Sequence, residues 1–350
     1  MEITDIPVEG YERVARCSDE ATGLVAFIAV HDTTLGPALG GLRLLNYAAE
    51  DEALTDVLRL SKGMTYKSAV AETGLGGGKS VIVGDPAKKT PELFRAMGRF
   101  VHDFGGNYIT AEDMNIKIED LLHVQEETPH VSGLSREHGG SGNPSPYTAY
   151  GCIVAMEAAA EYRWGTKDLS QKHVLLQGVG AVGGEMARLL RKRGARVTVC
   201  DIRQDAVDAL VNDHGCESVS IDDHLDVECD IYGPGARGAG INDDTIPQIS
   251  AEIICGCANN QLLDPSHGDV LREKGILYAP DYVVNAAGII NVSCERLEGG
   301  YDEEEAMRRI ERIGPNLKAI FEIADRDGIS TNVASQRLAE QRLADARQPS

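Results

Sequence analysis

The stretch from His173 to Asp201 restricts the fold more than any other part of this chain. His173-Val174-Leu175-Leu176-Gln177 is a short apolar run of strand length. Gly178-Val179-Gly180-Ala181-Val182-Gly183 follows at once, with the spacing G-x-G-x-x-G. Met186, Leu189 and Leu190 continue at helical spacing, Arg196-Val197-Thr198-Val199-Cys200 is a second strand, and Asp201 stands at its end. The glycine pattern alone is weak. Between a strand and a helix, with an acid about 20 residues on, it specifies a β-α-β unit that binds a dinucleotide. The first glycine permits the tight turn, the second lets a pyrophosphate reach the backbone, and the third lets helix and strand pack closely. The pyrophosphate then meets the positive end of the helix, contacting the turn Gly178, Val179, Gly180, Ala181, Val182 and Gly183.

Asp201 would bind the ribose hydroxyls and repel a 2′-phosphate, which favours NAD over NADP, and Arg203 is near enough to soften that preference. The other reading of Asp201 is a turn residue after a strand. Ala251-Glu252-Ile253-Ile254-Cys255-Gly256 and Leu277-Tyr278 supply further strands, so the expectation is an α/β fold with a Rossmann-type, doubly wound NAD-binding domain.

At 350 residues the chain has room for two domains. Gly139-Gly140-Ser141-Gly142-Asn143-Pro144-Ser145-Pro146 reads as a loop, and a long helix is expected from about Thr148. The boundaries expected are therefore 1–140 for an N-terminal α/β substrate domain and 141–324 for the dinucleotide domain, with a C-terminal helix at about 325–350. In the first domain Leu24-Val25-Ala26-Phe27-Ile28-Ala29-Val30 is strand-like, and Ala53, Leu54, Val57, Leu58 and Leu60 recur at helical spacing. Thr90 reads as an N-cap before Pro91, with Phe94, Met97, Phe100 and Val101 on the buried face of the helix that follows. After Asp302 the tail is helical. Pro315 should interrupt it, and a last helix should start near Thr331.

A net charge of -21 repels phosphate, which argues against nucleic acid and against an anionic membrane as partners. No apolar run approaches the roughly 20 residues that cross a bilayer. The acidic start Met1-Glu2-Ile3-Thr4-Asp5 lacks a signal-peptide core, so a cytoplasmic location is expected. Eight cysteines lie mostly far apart, and only Cys255-Gly256-Cys257 forms a close pair. Reduced, mostly buried thiols are expected, and no metal site.

Two lysines stand twelve residues apart, Lys67 after Gly63-Met64-Thr65-Tyr66 and Lys79 after Gly74-Leu75-Gly76-Gly77-Gly78. A glycine run lets backbone approach a ligand where side chains would clash. A lysine there either binds an anion or, if desolvated, loses its proton near neutral pH. Together they suggest a division of labour, in which one holds a carboxylate and the other, near that charge, acts as a base.

With Gly36-Pro37-Ala38-Leu39-Gly40-Gly41-Leu42-Arg43 upstream and Thr110-Ala111-Glu112-Asp113 downstream, this pattern resembles the amino-acid dehydrogenases acting on glutamate, leucine, phenylalanine and valine. The resemblance runs nearly end to end and is best for the apolar branch around leucine dehydrogenase. It implies two domains separated by a cleft, with the terminal helix folding back on the first, and a homo-oligomer of between two and eight copies. It implies that Lys67, with backbone at Gly40 and Gly41, anchors the substrate carboxylate, that Lys79 is the general base, and that Asp113 shuttles protons and orients Lys79. Asn260 then contacts substrate or nicotinamide, while Thr148 and Asn285, the latter at a strand end, lie by the cofactor. Each of these three is otherwise an ordinary loop polar group.

The resemblance also assigns the side-chain pocket to Leu39, Ala111, Ile289 and Val292. A leucine cannot neutralise a second carboxylate, so glutamate should be a poor substrate. The bulk of Ile289 favours a branched aliphatic side chain over a phenyl ring. The implied reaction is reversible, NAD-dependent deamination of leucine, valine or isoleucine to a 2-oxo acid and ammonia. The alternatives are phenylalanine dehydrogenase and a non-catalytic NAD-binding redox sensor. Departures from the family pattern are Met114-Asn115-Ile116 after Asp113, an alanine where glycine is usual in Asn285-Ala286-Ala287-Gly288, and Gly233-Pro234-Gly235-Ala236-Arg237-Gly238.

Overall fold

The computed structural model describes residues 1–236 and 238–348. Arg237, in the loop noted above, and Pro349 and Ser350, at the end of the expected terminal helix, lie outside the described residues. The chain forms two compact units, one of Met1–Asn143, Val292–Asp302 and Ala339–Ser350, the other of Pro144–Asn291 and Glu303–Leu338.

In the first unit the strands are β1 (Glu2–Asp5), β2 (Arg13–Asp19), β3 (Leu24–Asp32), β4 (Ala38–Leu45), β5 (Gly76–Val83) and β6 (Tyr108–Glu112). Its helices are α1 (Glu50–Ala71), α2 (Pro91–His102) and α3 (Ile118–Gln125). The sheet order is β1-β2-β3-β5-β4-β6. The β1–β2, β2–β3 and β3–β5 pairs are antiparallel, whereas β4 runs parallel to both β5 and β6. Alternation of side chains across the sheet gives it two apolar faces. Ala26, Ile28, Leu42, Leu44 and Ile82 pack with Phe94, Met97, Phe100 and Val101 of α2. Phe27, Ala29 and Val81 pack with Ala53 and Val57 of α1. Thr90 caps α2 as its sequence suggests, its hydroxyl accepting from Leu93 N at 3.2 Å ahead of Pro91.

The glycines of β5 answer to packing. A Cβ on Gly77 would lie 2.1 Å from Thr65 N, on Gly78 2.7 Å from the Tyr108 ring, and on Gly76 2.2 Å from Asp32 O. Close packing of helix, ring and loop on this central strand excludes side chains there. The last turn of α1, which carries Lys67, is held by Arg342, whose Nη1 donates to Ala69 O at 3.0 Å and Val70 O at 2.7 Å.

The second unit contains β7 (His173–Gln177), β8 (Arg196–Cys200), β9 (Glu217–Ser218), β10 (Ile231–Pro234), β11 (Ile253–Ile254) and β12 (Leu277–Tyr278). The order is β12-β11-β10-β7-β8-β9, every pair parallel. This is the doubly wound arrangement, and the order reverses between β7 and β10. The helices are α4 (Ser145–Trp164), α5 (Ala181–Lys192), α6 (Gln204–His214), α7 (His267–Glu273), α8 (Asp281–Val284), α9 (Ala287–Ser293), α10 (Glu303–Ile310), α11 (Ile313–Asp327) and α12 (Thr331–Arg347). Residues of α9 and α12 are shared between the units.

Three local expectations shift. Helix α4 starts at Ser145, three residues before Thr148, because Pro146 sits in its first turn, where no intrahelical N–H is needed. Pro315 is the third residue of α11 and so opens a helix, the interruption falling just before it at Glu311 and Arg312. The 251–256 strand pairs only over Ile253–Ile254, matching the two-residue β12 beside it. All eight cysteines are free thiols, and no metal-holding group of histidine, cysteine or carboxylate occurs among the described residues. No helix among the described residues is long and apolar enough to cross a membrane.

Candidate active site

Gly77, Lys79 and Val81 share the face of β5 that meets α1, because strand side chains alternate. Lys79 is 6% exposed, and its Nζ donates to Asp113 Oδ2, at the loop following β6. Gly41 of β4 lies between them. A Cβ there would stand 2.6 Å from Asp113 Cβ, 2.9 Å from Glu112 O and 3.3 Å from Lys79 Nζ. Gly40 is equally constrained, since a Cβ on it would fall 1.7 Å from Gly78 O. The Gly40 carbonyl also accepts from the Tyr108 hydroxyl at 2.6 Å. The double glycine is thus the floor on which the amine and the carboxylate meet. Gly41→Ala is expected to push the pair apart and lower kcat/KM by about 10²-fold, the scale of an ångström's misplacement. Steady-state kinetics at matched thermal stability checks this.

Arg43, for which the sequence suggested no role, completes the cluster. Its Nε donates to Asp113 Oδ2 at 3.2 Å and its Nη1 to Asp56 Oδ2 at 3.0 Å. Tyr47 donates its hydroxyl to the same Asp56 oxygen at 2.8 Å. The signal was present in the sequence, since Arg43 is two residues beyond Gly41 and strand alternation puts both on one face.

The charges favour proton exchange. Burial is the largest influence on Lys79 and pulls its ammonium below the ordinary value, Asp113 opposes this, and Arg43 adds to the lowering. Burial pushes the Asp113 carboxyl up, but Lys79 and Arg43 outweigh it and hold it below the usual range. The result is an amine that releases its proton readily beside a carboxylate that stays ionised. Such a pair can take up and pass on a proton at one atom.

Of the other residues marked from sequence in this unit, Leu39 is buried and pairs in register with Gly77 and Ile109, while Ala111 pairs with Gly41. Lys67 is half-buried on α1, two residues beyond the Thr65 that packs on Gly77. Val292 is half-buried, near the end of α9. The Met114-Asn115-Ile116 departure is absorbed locally. Asn115 takes a left-handed conformation with φ 61° and its amide donates to Leu44 O at 3.0 Å, which ties the loop to β4.

In the second unit the three glycines of the turn have separate tasks. Gly178 has φ +94°, and a Cβ on it would lie 2.8 Å from Ala236 N. Gly183 packs on the Gly178 carbonyl, where a Cβ would be 2.1 Å from the oxygen. At Gly180 a Cβ would meet nothing within 4 Å. The turn is therefore closed on two sides and open on the third, at the N-terminus of α5, which fits a pyrophosphate cradle. Asp201 Oδ2 accepts from Val179 N at 2.7 Å and Oδ1 from Arg203 N at 2.9 Å. A carboxylate offers about four lone-pair sites, so two remain for hydroxyl groups. Burial raises the Asp201 carboxyl, but these two N–H groups and the Arg203 charge bring it below the usual range. Arg203 stands alongside, its Nε 3.6 Å from Asp201 Oδ1.

The remaining positions are more scattered in their local setting. Thr148 donates to Pro144 O at 3.0 Å, and its Oγ1 would lie 3.1 Å from a Cβ on Gly288. Asn285 follows α8 instead of ending a strand, since a one-turn helix intervenes after β12. Its amide donates to Asn259 Oδ1 at 2.7 Å and Cys257 O at 3.1 Å. Asn260 is exposed with φ 52°, and Ile289 is buried in α9. Ala287 is buried against α4, its Cβ 2.6 Å from where a Cβ on Gly151 would be, so the extra methyl is taken up in helix packing.

Comparison with known proteins bears on both units. Residues 11–130 match the model of the Glu/Leu/Phe/Val dehydrogenase dimerisation domain. Residues 139–221 and 203–349 match that of Glutamate/Leucine/Phenylalanine/Valine dehydrogenase. The chain is 51% identical over 334 residues to leucine dehydrogenase of Geobacillus stearothermophilus, covering 95% of this chain and 90% of that protein. It is 44% identical over 347 residues to phenylalanine dehydrogenase of Caldalkalibacillus thermarum, covering 97% and 93%. Among solved structures, L-tryptophan dehydrogenase from Nostoc punctiforme superimposes with a TM-score of 0.88 at 42% identity, covering 97% of each chain.

Proposed function

The chain belongs to the Glu/Leu/Phe/Val dehydrogenase family, and from that premise we propose that it reversibly deaminates branched-chain aliphatic L-amino acids, with NAD, to 2-oxo acids and ammonia. The observation that carries this reading is the buried Lys79 amine bonded to the half-buried Asp113 on the Gly41 floor, with an apolar, buried Leu39 two residues before Gly41 on β4.

Lys67 and the backbone at Gly40 and Gly41 hold the substrate carboxylate. Lys79, uncharged, removes a proton from the substrate ammonium and later from attacking water, and Asp113 accepts that proton onward and keeps the amine aimed. Arg43 returns Asp113 to its ionised form between proton transfers. The turn from Gly178 to Gly183 would carry the pyrophosphate and Asp201 would take the ribose hydroxyls, while Thr148 and Asn285 would contact the nicotinamide and Asn260 the nicotinamide or the substrate. NAD, when bound, supplies the acceptor for the hydride leaving the α-carbon. On the family pattern, recognition of the substrate side chain is assigned to Leu39, Ala111, Ile289 and Val292. The match of residues 11–130 to a dimerisation domain supports a homo-oligomer.

A substrate panel with NAD and with NADP tests the whole reading. Leucine, isoleucine and valine should exceed phenylalanine in kcat/KM by about tenfold or more, the weight of a methylene or two in an apolar pocket. Glutamate should not turn over, because Leu39 leaves its second carboxylate unpaired. NAD should be preferred to NADP through the negative Asp201. The reading gives way to a phenylalanine dehydrogenase if phenylalanine or phenylpyruvate ranks first. It gives way to a redox sensor if no amino acid yields NADH.

A further inference from the structure

Glu295 stands apart from every residue assigned above. It lies in the 3-10 turn Cys294–Arg296 that continues α9, and its carboxylate is spent wholly on backbone. Oε2 accepts from Gly133 N at 3.0 Å, and Oε1 accepts from Ser141 N at 2.6 Å. Gly133 and Ser141 are the two ends of one loop. Inside it Gly142 N donates to Leu134 O at 3.1 Å and Gly140 N to Ser135 O at 3.0 Å. One carboxylate thus closes the neck of the loop, with charge-assisted bonds to two N–H groups that otherwise lack a strand to pair with.

The loop begins where the sheet ends. Ser132 N donates to Thr110 O at 2.8 Å and Thr110 N to His130 O at 3.0 Å, so the chain at Val131 adds a bridge to β6 just before Ala111. At Gly133, with φ +77°, a Cβ would be 3.8 Å from Ala111 Cβ. Ala111 is therefore backed by the residue whose N–H is held by Glu295. Val292 precedes Glu295 by three residues in one helical run, which places the two on the same face.

We propose that Glu295 is a positioning residue for substrate selection, joining the segment that carries Val292 to the loop that backs Ala111 and so setting the width of the aliphatic pocket. The inference rests on the proposed amino-acid dehydrogenase activity and extends it to a residue that does not touch substrate. A carboxylate is needed because both partners donate, and a carboxamide would turn its NH2 toward one of them.

The test compares wild type, Glu295→Gln and Glu295→Ala on leucine, valine, norleucine and phenylalanine, with amide hydrogen exchange across 133–141 and NADH affinity. In both variants KM for leucine should rise about tenfold, with the leucine-to-phenylalanine ratio of kcat/KM falling by about the same factor. Exchange at Gly133 and Ser141 should quicken while NADH affinity stays within about twofold, since the dinucleotide turn is untouched. The milder Gln variant keeps the side-chain volume and guards against simple unfolding. An unchanged substrate ratio in a Gln variant whose loop exchange has quickened overturns the inference and leaves the proposed function standing. A wild type that turns over no amino acid overturns both.

Discussion

Lys79→Ala should lose about 10⁴-fold in kcat/KM, the upper range for removing a positioned general base, while NADH still binds. The fold should survive the change. Lys79 is a buried amine whose ammonium form is already disfavoured by burial, so removing it takes away a buried charge that the fold does not favour. Asp113 would not be left without a counter-charge, because Arg43 remains 3.2 Å from the same carboxylate oxygen. Lys79→Met fills the volume without the amine and should behave alike. Stopped-flow turnover and fluorescence titration of NADH separate the two effects. A variant that retained the wild-type rate would remove Lys79 from the mechanism.

Asp113→Asn should cost about 10²- to 10³-fold at the pH optimum, and its pH dependence carries more information than its rate. Asp113 is the main influence raising the Lys79 value against burial. Without that charge, burial and Arg43 both act downward, so Lys79 loses its proton at lower pH than before. In the deamination direction activity requires the uncharged amine, so the rising acid limb of kcat/KM should move to lower pH in the variant. Were Asp113 merely a loop carboxylate with no hold on Lys79, the limb would stay in place.

The sequence made much of this legible, and unevenly. The β-α-β unit was readable to the residue because its glycines, its two strands and its terminal acid each answer a separate local demand, and the structure shows the tight turn at Gly178, open space at Gly180 and close packing at Gly183. The N-cap at Thr90 and the last helix from Thr331 were equally local. The glycines of β5 are ambiguous in sequence, because a run of small residues looks the same whether a ligand or a neighbouring helix needs the space. Glu295 has no local signal, since its partners Gly133 and Ser141 lie far away in the chain, and Arg43, though on the face of Gly41, meets an Asp113 that is distant in sequence.

By itself the order of residues determined what is encoded within a few turns or strands: the dinucleotide turn, the caps, and the presence of lysines, acid and double glycine as candidate chemistry. Only the folded molecule decided which of these meet. Lys79, Gly41 and Asp113 come from three different strands or their ends, and parallel pairing of β4 with β5 and β6 is what aligns them. That alignment buries the amine, and burial, a property of tertiary packing alone, is what lowers its hold on a proton.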